Sequence, residues 1–217
     1  MKIAIDGPAG AGKSTIARKV AQELGFVYID TGAMYRALTW QALQNGINLD
    51  DSQALAELAH SLFIHFENNL TQQIFCDDIN VTEEIRMPHV TGAVSRVAAH
   101  PLVRQIMVKK QQDLASVASI VMDGRDIGEC VLPDADYKFF LTASIEKRAY
   151  RRIKEMEEKG YLLDYAAIKD EIAARDKMDM EREVGALKVL EDSIIIDTSD
   201  LTVDQVLTTI ISIIRKG

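Results

Sequence analysis

The run GPAGAGKS, from Gly7 through Pro8, Ala9, Gly10, Ala11 and Gly12 to Lys13 and Ser14, decides the fold of this 217-residue chain. It satisfies G-x-x-x-x-G-K-[ST], in which glycines stand where backbone N–H groups must curl around a phosphate with no side chain in the way. Lys13 adds a mobile positive charge, and Ser14, followed by Thr15, offers a hydroxyl to Mg²⁺. The helix that begins here directs the positive end of its dipole at the phosphate. Upstream, Lys2 to Ile5 reads as a short buried strand. Downstream, Ile16, Val20 and Leu24, with Ala17 and Ala21 beside them, trace one helix face that Gly25 can end. Strand, glycine-rich loop and helix in this order predict a nucleoside triphosphate site.

The alternation continues outward from the loop. Phe26 to Ile29 reads as a second strand and Thr31 to Asn45 as a second helix, with a further helix from Ser52 to Leu62. Phe63 to Val81 changes to short alternating segments around Asn68-Asn69 and Asp77-Asp78, which predicts a small antiparallel insertion. Helical texture returns from Pro88 to Ala118, broken near His100-Pro101, where the proline can start a new helix. Ser119 to Met122, Tyr137 to Leu141 and Ser193 to Ile196 are compact apolar runs of the parallel-strand type. Between the last two lies a charged helical stretch from Ser144 to Met180, marked by Gly160. The sum is an α/β fold: a P-loop NTPase core with a five-stranded parallel sheet and flanking helices.

Composition narrows the setting. Hydrophobic residues at 47% and charged residues at 27% match an ordinary globular protein. The chain enters a strand at once, without a basic leader and apolar block, and its apolar stretches are short. A cytoplasmic protein without membrane insertion is expected, with Cys76 and Cys130 as reduced thiols. A net charge of -8 argues against a coat for nucleic acid. An anionic ligand must therefore be met locally, which makes clusters of arginine informative.

Three groups stand out. Asp30, Thr31, Gly32 and Arg36 follow the second strand, where ligands of open α/β sheets collect. Thr31 reads equally well as a helix N-cap or as a ligand hydroxyl. The third core strand ends in Asp123-Gly124-Arg125-Asp126, so that Asp123 could orient a Mg²⁺ shell while Arg125 grips a phosphate bidentately. Further along come Arg148, Arg151 and Arg152, then Arg175 and Arg182 around Asp179. Arg148 and Arg152 share a helix face at i, i+4 and repel unless an anion sits between them, which suggests a lid over a transferring phosphoryl group. None of the five asparagines is followed by lysine, so the guanine-reading N-K-x-D sequence of GTPase switches is missing. No Ser-His-Asp or Cys-His arrangement is evident. Phosphoryl transfer needs neither, because Mg²⁺, lysine and arginine act through positioning and charge. The residues by themselves leave open which small acceptor is phosphorylated.

The chain closely resembles bacterial cytidylate kinases, within the nucleoside monophosphate kinase group. The residues that carry the resemblance are IDGPAGAGKST at Ile5 to Thr15, DTGAMYR at Asp30 to Arg36, EIR at Glu84 to Arg86, DGRDIG at Asp123 to Gly128, and Arg175-Asp176 followed by Asp179 and Arg182. The resemblance implies ATP-dependent phosphorylation of CMP and dCMP to CDP and dCDP, assisted by Mg²⁺. It further implies that Thr31, Arg36, Arg125 and Arg182 hold the acceptor phosphate, that Ser95, Arg104 and Asp126 read the cytosine, and that Arg175 and Asp179 contact the sugar. Some relatives have serine where this chain has Thr31, which keeps the hydroxyl. The catalytic set expected on these grounds is Lys13, Arg125, Arg182, Arg148 and Arg152. Residues 1–35, 100–147 and 183–217 would form the core, about 36–99 the nucleotide-binding insertion and about 148–182 a helical lid. The expected partners are small nucleotides, with no nucleic acid and no membrane, and the expected state is a monomer.

Overall fold

β1 (Lys2–Asp6) lies at the centre of a five-stranded parallel sheet and is buried along almost its whole length. Its neighbours are β6 (Ile120–Gly124) and β7 (Tyr137–Thr142), with β2 (Val27–Asp30) and β8 (Ile194–Asp197) at the edges, giving the order β2-β6-β1-β7-β8. Ile3 pairs with Val121 and Tyr137, and Ile5 with Asp123 and Phe139, so the central strand is flanked by apolar runs on both sides. A strand covered on both faces has no polar side to show, which is why these segments read as continuous rather than alternating. The five core strands expected from the sequence are all present, each within one or two residues of the expected ends.

This is a computed structural model, and it describes residues 1–68, 72–116, 119–158 and 160–216. The expected turn residue Asn69 and the expected helix end at Ala118 lie outside them. The chain divides into two units, Met1–Tyr28 with Val117–Gly217, and Ile29–Ser116. In the first, α1 (Lys13–Leu24) buries Ile16, Ala17, Val20 and Ala21, and α8 (Val203–Lys216) buries Val206, Ile210, Ile211 and Ile214. Both stripes join Ile3, Ile5, Val121, Phe139, Leu141 and Ile196 in one core cluster. Each fully buried branched side chain there contributes about 1.5–3 kcal/mol of transfer free energy, so the sheet that carries the glycine-rich loop is anchored by an extended apolar core.

The charged stretch expected to be helical from Ser144 to Met180 is two helices, α6 (Ile145–Glu158) and α7 (Tyr165–Met180). Gly160 adopts φ 83°, and Asp164 restarts the chain as an N-cap, accepting from Ala167 N at 2.8 Å. The two helices meet through Ala149, Ile168 and Ile172, with Ile145 and Ile153 against them.

In the second unit, Asp51 caps α3 (Ser52–Ser61), and prolines open α4 (Pro88–Val97) and α5 (Pro101–Ala115) at the position where a missing N–H costs nothing. α2 (Thr31–Gln44) follows β2 directly. The expected antiparallel insertion is a three-stranded sheet of β3 (Ile64–Asn68), β4 (Gln72–Cys76) and β5 (Ile79–Asn80). Among the described residues no helix is long and apolar enough to cross a membrane.

Candidate functional site

The loop between β1 and α1 is shaped by its glycines. Gly7, Gly10 and Gly12 have φ of 149°, 77° and 88°, and a Cβ on Gly7 would stand 2.0 Å from the Leu141 carbonyl oxygen. No side chain caps α1, whose N-cap is Gly12 itself. The free N–H groups of its first turn are therefore donors suited to an anion.

Lys13 is buried, and its Nζ donates to the Pro8 carbonyl at 2.8 Å across the loop. Burial, then the Arg125 guanidinium, pulls its pKa from 10.5 down to about 7, with Asp123 acting in the other direction. A negative charge placed beside this amine would restore the ammonium form that burial and Arg125 disfavour.

Asp123, at the end of β6, accepts from the Ser14 hydroxyl at 2.8 Å on one oxygen and from the Tyr28 hydroxyl at 2.7 Å on the other. The carboxylate is held by residues far apart in the chain, and Tyr28 was not singled out by the sequence. Its position two residues before Asp30 on the same strand is the signal that could have found it. Among the described residues no three His, Cys, Asp or Glu side chains group to hold a metal on their own. The Ser14 and Asp123 oxygens nonetheless fit Mg²⁺, a hard cation that takes few protein ligands and completes its shell with water and phosphate.

Two residues on, Arg125 donates from Nε to Asp179 at 2.7 Å, and Arg182 pairs with the other Asp179 oxygen. Asp179 is 1% exposed. Burial alone would raise its pKa, but Arg125, Arg182 and Arg175 together hold it below the ordinary carboxylate value. Burial would likewise lower the Arg125 pKa, and Asp179, Asp123 and Asp176 reverse that. One buried carboxylate thus fixes two guanidiniums, while Asp126, next to Arg125 in sequence, is also buried.

Arg148 is almost fully enclosed: Nε donates to Ala143 O at 3.0 Å, Nη1 to Ala9 O at 3.1 Å, and Nη2 pairs with Asp176 at 2.6 Å. The repulsion expected between Arg148 and Arg152 is relieved by protein carboxylates, Asp176 for the first and Glu155, at 3.4 Å, for the second. Arg151 reaches the Thr198 hydroxyl and carbonyl, and that hydroxyl lies 3.1 Å from Ala11 O. Two α6 arginines are therefore tied to the phosphate loop, Arg148 directly through Ala9 and Arg151 through Thr198. Spacing along the sequence pointed to Arg148 and Arg152 and passed over Thr198, whose place just beyond β8 is its only signal.

The second unit has its own cluster. Asp30, not Thr31, is the N-cap of α2, accepting from Ala33 N at 2.8 Å, and its other oxygen pairs with Arg36 at 2.9 Å. Burial would raise the Asp30 pKa; Arg36, the Ala33 N–H and Arg86 outweigh it and leave the carboxyl below its ordinary value. Of the two roles that sequence left open for Thr31, the N-cap thus falls to its neighbour; Thr31 itself is buried at 3% exposure. Gly32 sits where a Cβ would crowd Arg36 Nη1 at 3.1 Å and Asp30 Oδ1 at 3.2 Å. Arg104 on α5 is buried at 1% exposure, donates to Ala98 O at 3.1 Å, and lies over the Tyr35 ring at 5.5 Å. Ser95 on α4 is buried. Tyr35 lies within the run Asp30 to Arg36 but had no role assigned to it from the sequence.

A family model described as cytidylate kinase matches residues 3–216. The chain belongs to the cytidylate kinase family. It is 53% identical to a cytidylate kinase of Desulforamulus reducens, over 99% of this chain and 97% of that one. It is 51% identical to a cytidylate kinase of Listeria welshimeri, over 99% and 96%. Among solved structures it resembles shikimate kinase from Bacteroides thetaiotaomicron, with a TM-score of 0.53 at 12% identity, covering 99% of this chain and 98% of that one. The likeness to this kinase is one of fold alone. For a member of the cytidylate kinase family, the loop, the Asp123 hydroxyl pair and the Asp179 arginine pair are the features whose chemistry has to be explained.

Proposed function

We propose that this member of the cytidylate kinase family transfers the γ-phosphoryl group of ATP to CMP or dCMP, giving ADP and CDP or dCDP. The observation that carries the reaction class is the charge pattern around Lys13. Arg125 and Arg175 are both close enough to depress its pKa, and Asp179 holds Arg125 in a fixed orientation. Such a concentration of cations exceeds what one triphosphate needs and suits two anionic substrates that must be brought together despite their repulsion. Full-length identity to named cytidylate kinases supports cytidine nucleotides as the acceptors.

In this reading the loop N–H groups and Lys13 hold the β- and γ-phosphates, with Gly7 to Thr15 forming the donor site. Ser14, with Asp123 beside it, would hold Mg²⁺, which would supply positive charge to offset the negative charge of the phosphates. Thr31, Arg36, Arg125 and Arg182 hold the acceptor phosphate, Ser95, Arg104 and Asp126 the base, and Arg175 and Asp179 the sugar. Residues about 36–99 serve acceptor binding. Residues about 148–182 act as a lid, in which Arg148 steadies the loop through Ala9 while the more exposed Arg152 is available to the transferring group. In this reading the enzyme is cytoplasmic and monomeric; free Cys76 and Cys130 suit a reducing compartment, and a net charge of -8 disfavours nucleic acid as a partner.

The test is an acceptor panel. ADP release is followed with Mg·ATP and CMP, dCMP, UMP, AMP or GMP, with excess EDTA as the metal-free arm. CMP and dCMP should lead, and EDTA should abolish turnover. A preference for AMP or for a non-nucleotide would sink the cytidine assignment.

A further inference from the structure

Asp6 ends β1 one residue before the glycine-rich loop and is 7% exposed. Its two carboxylate oxygens accept from two consecutive backbone N–H groups, Ile127 at 2.9 Å and Gly128 at 2.8 Å. These open a π-helical turn, Ile127–Val131, whose preceding residue Asp126 has an irregular backbone (φ -140°, ψ 28°) and no side-chain cap of its own. The first N–H groups of any helical turn lack partners within it. A carboxylate more than a hundred residues away in sequence here does what a local N-cap does elsewhere. The turn is also tightly seated, since a Cβ on Gly128 would stand 3.1 Å from Lys138 Cδ and 3.3 Å from Leu190 Cδ1. Arg125 and Asp126 are the two residues immediately before the clamped pair.

We propose that Asp6 is a positioning residue for the acceptor: by holding the Ile127 and Gly128 amides it sets the backbone on which Arg125 and Asp126 stand, and so registers the acceptor contacts against the phosphate loop. This rests on the assignment of Arg125 and Asp126 to the acceptor. Energetics favour a role beyond filling the core. Burial pushes the Asp6 pKa up to about 6 against the lowering effect of its two amide bonds. Asp126 raises it further and Lys13 on α1 lowers it, while the register partners on β6 and β7, Gly124 and Phe140, carry no charge. At neutral pH the group is therefore a buried anion that an amide side chain of the same shape would replace at little cost in stability, but with only one acceptor for two donors.

Asp6→Asn and Asp6→Glu are compared with wild type in steady-state kinetics with Mg·ATP and CMP, alongside thermal melting at pH 8. The expected outcome is a KM for CMP raised about tenfold by a small misplacement of Arg125 and Asp126. The KM for ATP should stay within about twofold and the Asp6→Asn melting point within a few degrees, because removing the buried charge offsets the lost bond. In wild type, the amide signals of Arg125 and Asp126 should titrate with the Asp6 carboxyl near pH 6 in NMR spectra, a measurement that needs no variant to fold. Equal rises in both KM values, losses that track melting, unchanged kinetics, or Arg125 and Asp126 signals indifferent to Asp6 would each overturn the proposal. If wild type prefers another acceptor, the cytidine assignment fails separately, and the same KM split is read with that acceptor.

Discussion

Replacing Gly7 by alanine tests the geometry of the phosphate loop most directly. The added Cβ would lie 2.0 Å from the Leu141 carbonyl oxygen, whereas carbon and oxygen rest at about 3.3 Å. Loop and strand must therefore separate by about 1.3 Å. Leu141 is fully buried in β7 and paired with Ile196, so it cannot yield cheaply. Displacing packed backbone costs about 1–3 kcal/mol, and an alanine at φ 149° adds about 1–3 kcal/mol of strain. The sum is about 2–6 kcal/mol, or a fall of at least ~4 °C in melting temperature for a chain of this size. Gly25→Ala is the matched control: φ is also positive, at 67°, but nothing lies within 4 Å of the added Cβ, so only strain of about 1 kcal/mol remains. Turnover should separate the two more sharply, since a 1 Å misplacement of loop N–H groups costs about 10²-fold. Thermal melting and kcat/KM for ATP on both variants provide the check. The reasoning is refuted if Gly7→Ala melts no lower than Gly25→Ala and keeps kcat/KM within about threefold of wild type.

Two further outcomes follow from the charges. Because burial and Arg125 hold Lys13 at about 7, ATP binding at pH 8.5 should take up close to one proton as its phosphates restore the ammonium form; calorimetry in buffers of different ionisation enthalpy measures this, and Lys13→Arg should abolish it. In Asp179→Asn, Arg125 and Arg182 lose their shared buried counter-charge, a change worth about 3–5 kcal/mol. The Asp179 pKa is depressed on folding, so this stabilisation is fully present above 3.8 and is lost as pH falls through the lower folded value. Urea melts of both forms at neutral and acid pH should show the gap closing on acidification.

The sequence was most legible where the requirement is local. Gly7, Gly10 and Gly12 announce a backbone of positive φ, and Ile16, Val20 and Leu24 announce a helix face, because dihedral preference and side-chain period are properties of neighbours in the chain. Residue types near strand ends, Asp123 and Arg125 above all, likewise marked the candidate site before any contact was known. The sequence could also state that an anion must be met by local arginines, since that follows from a net charge of -8.

What only tertiary structure decided is the pairing. Asp123 meets Ser14 across 109 positions and Tyr28 across 95. Asp6 meets Ile127 across 121, and Arg151 meets Thr198 across 47. Arg148, read as a candidate for the transferring phosphate, is held by Asp176 and by the loop carbonyl of Ala9. The order β2-β6-β1-β7-β8 belongs here too, because any arrangement of five similar apolar strands satisfies the same periodicity. The physical reason is common to all of these. Coulomb energy and hydrogen bonding depend on separation in space and on exclusion from water, and neither quantity is set until distant segments have packed.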